Sequence, residues 1–113
     1  MRFVVEEYTD QQGRSPYKVW LTSLRDHKAQ ARIMIAVERM ELGLLGDCVP
    51  IGAGLSELRI HFGPGYRVYF AKTGRDVFRV FGGGDKSTQA KDIRNVKARF
   101  ADYKLRMARG AQD

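Results

Sequence analysis

The spacing of apolar residues along this chain switches between two periods, and each switch marks an element. Residues 2–8, RFVVEEY, centre on Val4 and Val5 and predict a short strand. After Gly13, Ser15-Pro16 forms a helix start, because a serine hydroxyl caps free amides and proline suits the first helical position. Tyr17, Trp20, Leu21 and Leu24 then recur at helical spacing and give one apolar face. Ile33, Val37 and Met40 are the stripe of a second helix, from about Ala29 to Leu42, with Gly43 as its stop. Two short helices in succession predict a helical hairpin. Residues 43–55, GLLGDCVPIGAGL, follow neither period and read as a loop.

Beyond that loop the period becomes two. In 58–62, LRIHF, the residues Leu58, Ile60 and Phe62 alternate with Arg59 and His61. Gly63-Pro64-Gly65 is a turn, and 66–72, YRVYFAK, is the next strand. Thr73-Gly74-Arg75 turns the chain into 77–81, VFRVF. The alternation predicts an antiparallel meander with one buried face and with Arg59, His61, Arg67 and Arg79 on the other. Gly82-Gly83-Gly84 reads as an elbow into a last helix starting near Ser87. Ile93, Val96, Phe100, Tyr103 and Met107 give that helix its stripe, and 104–113 read as a frayed tail. The order is β-α-α-β-β-β-α, an α+β domain spanning 1–113.

Charge adds a partner class to this outline. The 113 residues carry a net charge of +7, a large positive field whose natural partners are polyanions. Residues 86–109 alone hold eight Lys/Arg and two Asp. No apolar run approaches the roughly 18 residues of a membrane span, and no basic start with an apolar run marks a secretory leader. The single cysteine, Cys48, allows no internal disulfide and fits a reducing compartment, so the cytoplasm is expected. His27, Cys48 and His61 lack zinc-ligand spacing, and no metal or other cofactor is expected.

The candidate chemistry lies in the meander. RNA is cut without a metal when its own 2′-hydroxyl attacks the adjacent phosphorus; that needs a base, an acid and cations for the charge on the phosphorane. Histidine titrates near neutrality, and arginine pairs bidentately with phosphate oxygens. Arg59 and His61, two apart on a strand, point to one side. A solvated basic sheet face is the simpler alternative. Gly82-Gly83-Gly84-Asp85-Lys86-Ser87 fails the Walker pattern, since Asp85 precedes Lys86. Its glycines still suit a phosphate at a helix start, or a flexible connection capped by Ser87. Arg79, Lys91 and Arg94 are candidate RNA contacts, and Tyr69 a candidate base-stacking residue. Of the other aromatic residues, Tyr17 and Trp20 are expected in the core. Glu6, Glu7 and Glu57 show no paired arrangement for a carboxylate mechanism.

The strings ERMELGLLGD, GLSELRIHFGPGYRVYF and GGGDKSTQAKDI resemble the addiction-module killer proteins, HigB-like toxins within the RelE/ParE superfamily of type II toxin–antitoxin systems. The resemblance covers roughly residues 2–103. It implies the RelE-like fold, a helix-turn-helix antitoxin partner of the HigA kind, and an mRNA interferase acting on the ribosome and its mRNA. It also implies that Arg67, the arginine after "GY", contacts the scissile phosphate. Arg59 and His61 match the basic residues of the preceding strand, and Lys86 matches a basic residue after the last strand. RelE itself has a tyrosine just beyond that position, where this chain has Ser87, Thr88, Gln89 and Ala90. That departure leaves His61 as the base by chemistry rather than by motif. ParE-type relatives share the fold and poison DNA gyrase, so a gyrase-binding toxin, or a degenerate toxin acting only in its antitoxin complex, stays open.

Overall fold

The computed structural model describes residues 2–110. Its elements are β1 (Val4–Glu7), α1 (Pro16–Ser23), α2 (His27–Met40), β2 (Asp47–Gly52), β3 (Leu55–Ile60), β4 (Tyr66–Gly74), β5 (Val77–Asp85) and, after a single 3-10 turn at Lys86–Thr88, α3 (Gln89–Gly110). They form an α+β fold around a five-stranded sheet of order β1-β5-β4-β3-β2. The sheet is mixed rather than purely antiparallel, because β1 lies parallel to β5.

Local chemistry accounts for the helical hairpin. Ser15 Oγ accepts from the Lys18 amide at 3.1 Å and opens α1, with Pro16 in the first turn. Asp26 accepts from the Lys28 and Ala29 amides and starts α2 two residues before Ala29, a capping signal that the apolar stripe does not carry. Gly43, at φ +75°, donates to the Met40 carbonyl at 2.9 Å and ends the helix.

Three sequence expectations are corrected. Residues 43–55 are not all loop: Asp47–Gly52 pairs antiparallel with β3 as an edge strand. Pro50 sits on that edge, where a missing N–H costs no ladder bond, and its presence masks the strand in the sequence. The glycine run is not an elbow, since Gly82, Gly83 and Gly84 belong to β5 and pair with Tyr69, Val68 and Arg67. A methyl group on Gly83 would strike the Trp20 ring, and one on Gly84 the Asp92 carboxylate. These glycines therefore allow helices to approach the strand closely. Finally, 104–110 are helical rather than frayed, tied down by Arg106, which reaches Asp102 at 3.0 Å and the Thr9 carbonyl at 2.6 Å. The rest of the expected tail, 111–113, lies outside the described residues.

The sheet is buried on both faces, not one. Against α1 and α2 lie Tyr17, Leu21, Ile33, Met40, Leu58, Val68, Phe70, Phe78 and Val80. Against α3 lie Leu55, Tyr69, Ala71, Phe81, Val96 and Phe100. Tyr17 is in the core as expected, and Trp20 is half-buried beside it. The face expected to be basic and solvated is thus largely covered by α3. Arg79 lies beneath that cover against Tyr103, while Arg59 and Arg67 lie at its start beside Gln89.

Candidate functional site

Arg59 on β3 and Arg67 on β4 are direct cross-strand partners on the α3 face of the sheet. Like charges placed opposite each other repel, and the structure compensates with Glu57. This carboxylate is 1% exposed. Its Oε2 accepts from Arg59 Nε at 3.1 Å, and its Oε1 lies 3.4 Å from Arg67 Nε in ion-pair contact. Gln89, the first residue of α3, donates through Nε2 to Glu57 Oε1 at 2.6 Å. One buried acid therefore ties two strands and the start of the last helix together.

The two guanidiniums differ in access. The Arg67 side chain is 11% exposed and also donates through Nη1 to the Gly65 carbonyl at 2.9 Å. The Arg59 side chain is 36% exposed. Gly65, at φ +85°, passes close beneath this cluster: a methyl there would lie 3.4 Å from Arg67 Nη1 and 3.8 Å from Lys86 Cβ. Lys86 itself is exposed. Arg59 and Arg67 are thus gathered around Glu57 at the end of the β3–β4–β5 ladder, and Lys86 extends this cationic rim past Gly65.

His61 does not continue β3; it lies just past the strand's end. Its Nε2 contacts Asp47 Oδ2 at 2.6 Å. Asp47 is the β2 partner of Arg59 in the strand register, so the histidine is pinned beside the rim through a carboxylate. Asp85 accepts from the Ser87 amide at 2.8 Å and caps the turn that carries Lys86, a role the sequence assigned to Ser87.

Two of the expected RNA contacts are placed elsewhere. Tyr69 is fully buried in the α3-side core, so its ring cannot stack on a base in this structure. Burial, and then the charge of Glu57 across from it, pushes its phenol above the ordinary range. Arg79 shares the α3 face but pairs across from Ala71, four residues along β4 from Arg67, about 13 Å away at strand rise. There its guanidinium lies 4.6 Å over the Tyr103 ring and its Nη1 3.8 Å from Glu6. Arg79 thus braces β1 and α3 against β5. Lys91 and Arg94 are exposed on the first turns of α3, on the helix whose start reaches Glu57. Among the described residues, no three His, Cys, Asp or Glu side chains gather as a metal site, and no helix is long and apolar enough to cross a membrane.

Sequence reasoning missed Glu57 and Gln89. Glu57 had a readable signal: it alternates with Leu58 in LSELRI and so shares a side with Arg59, its neighbour two residues on. Gln89 had none, because only the return of α3 across the sheet brings it to β3.

No protein-family model matches the chain. It is 41% identical over 78 residues to an uncharacterized protein of Haemophilus influenzae, an alignment covering 69% of this chain and 79% of that protein.

Proposed function

This chain belongs to the family of that Haemophilus influenzae protein, and we propose that it is the toxin of a type II toxin–antitoxin pair: a RelE-like, metal-independent endoribonuclease that cuts ribosome-bound mRNA in the cytoplasm and is neutralised by a helix-turn-helix antitoxin. One observation carries this reading. Arg59 on β3, Arg67 on β4 and Lys86 in the turn after β5 share one rim, with Glu57 and Gln89 fixing the two arginines.

In the proposed reaction the RNA 2′-hydroxyl attacks the adjacent phosphorus. The new 2′-oxygen–phosphorus bond replaces the bond to the 5′-oxygen, leaving a cyclic phosphate and a free 5′-hydroxyl. Arg59 and Arg67 stabilise the charge on the phosphorane, and a preorganised donor of this kind contributes roughly 3–4 kcal/mol to such a step. Glu57 is a positioning residue that holds both guanidiniums in place. His61, oriented by Asp47, takes the 2′-proton. Lys86, exposed, binds the phosphate or returns a proton to the leaving oxygen.

A second reading has its own support. Both arginines already have a carboxylate partner, and the His61 ring is engaged by Asp47. That arrangement suits a toxin that binds gyrase without catalysis. Mapping mRNA 5′ ends after induction of the wild type and of Lys86→Ala separates the two. Codon-phased cuts that fall sharply in Lys86→Ala support the nuclease. Growth arrest without new ends discards it in favour of the binding toxin. No arrest at all points to a degenerate toxin acting only with its antitoxin.

A further inference from the structure

A groove of about 810 Å³ runs between α2, the 43–46 segment and the end of β3. Its floor and walls are apolar: Ile35, 45% exposed, Leu44, 58% exposed, and Leu58, Ile60 and Phe62. Its charged lining groups are Arg32, Arg39, Arg59 and His61, with no acidic residue among them. The guanidinium of Arg32 lies 4.9 Å over the Phe62 ring. At its edge the Asp47 carboxylate is engaged by the lining His61 at 2.6 Å. Across α2 the charge reverses, since the smaller cleft between that helix and β1 is lined by Glu7, Glu38 and Glu41 with one lysine, Lys18.

Exposed large apolar side chains in a concave, polar-rimmed surface mark an interaction site. A nucleic acid would leave Ile35 and Leu44 without apolar partners. A second copy of this chain would bring another net charge of +7 to a basic groove. We propose that the groove docks an acidic, amphipathic helical segment of a partner protein, apolar side chains inward and carboxylates on Arg32 and Arg39, in the helix-in-groove mode. Arg59 lines both this groove and the Glu57 site, so the docked segment reaches the cationic rim and obstructs it. Equating the occupant with the neutralising antitoxin rests on the function proposed above; the chemistry of the groove does not.

The test uses the full chain, isotope-labelled, with a synthetic helical peptide of about 18 residues, roughly 27 Å long, carrying leucines on one face and glutamates beside them. A peptide with lysine for every glutamate is the control. The expected result is amide shifts confined to α2 and 42–46, and at least tenfold weaker binding by Leu44→Glu and by Arg39→Glu; both positions are exposed. Absence of shifts, shifts on the acidic cleft or α3 instead, or equal binding of the lysine peptide overturns the proposal. Mapping mRNA ends with the wild-type chain keeps the two ideas apart. In the wild type, cuts without peptide binding defeat the groove alone, and peptide binding without cuts defeats the nuclease alone.

Discussion

Gln89 Nε2 donates to Glu57 Oε1 at 2.6 Å across 32 residues of chain, joining the first residue of α3 to the strand that carries Arg59. This bond makes the arrangement of the cationic rim depend on how the last helix docks. Gln89→Ala is expected to leave the fold intact, costing about 1.5–3 kcal/mol as one lost bond to a charged, buried acceptor, and, on the proposed nuclease reading, to weaken RNA cleavage through misplaced arginines. Urea unfolding beside the 5′-end map checks both halves.

Arg67 is a poor first choice for testing chemistry. Removing it leaves the buried Glu57 carboxylate with Arg59 and Gln89 alone, and breaking a buried pair costs roughly 3–5 kcal/mol. Arg67→Ala is therefore expected to lower the urea midpoint severely, and Arg67→Ala combined with Glu57→Gln to recover part of the loss. A double-mutant cycle measures that coupling. Lys86→Ala should stay within about 0.5 kcal/mol of the wild type and still reduce cleavage roughly 100-fold if the lysine contacts the reacting phosphate.

Gly83→Ala and Gly84→Ala test what the glycine run is for. Each added methyl meets a packed neighbour, Trp20 or Asp92. Overpacking of that kind costs about 1–3 kcal/mol. Both variants should lose stability in thermal melts, whereas Gly110→Ala, where nothing lies within 4 Å of the added methyl, should melt like the wild type. Unchanged stability of Gly83→Ala and Gly84→Ala, with lost phosphate binding, would restore the phosphate-loop reading.

At high pH the core phenols set the limit. Burial, with the Glu7 charge second, pushes Tyr17 up to about 12, and Tyr69 is raised in the same direction. A raised folded-state pKa means the neutral phenol is favoured in the folded protein. That stability is complete below the unfolded value near 10 and is lost as pH rises toward 12. Alkaline unfolding should fall in that window, and Tyr17→Phe should move its midpoint upward. Phenolate absorbance followed together with circular dichroism reads both events.

The helical hairpin was legible from Ser15-Pro16, the Tyr17–Leu24 and Ile33–Met40 stripes and Gly43, because capping and helical period are local properties. The meander and the shared side of Arg59 and Arg67 were equally legible, since strand alternation needs no tertiary information. β2 was not, because an edge strand containing Pro50 takes its existence from pairing with β3. The fates of Tyr69 and Arg79 were also hidden: period two assigns a side chain to a face, and only the path of α3 decides which part of that face is covered. Chain order and local spacing thus determined the helices, the three strands of the meander and the cations available at this site. The tertiary structure decided which cations meet, by bringing Glu57 and Gln89 together so that one buried carboxylate offsets the repulsion of two opposed guanidiniums.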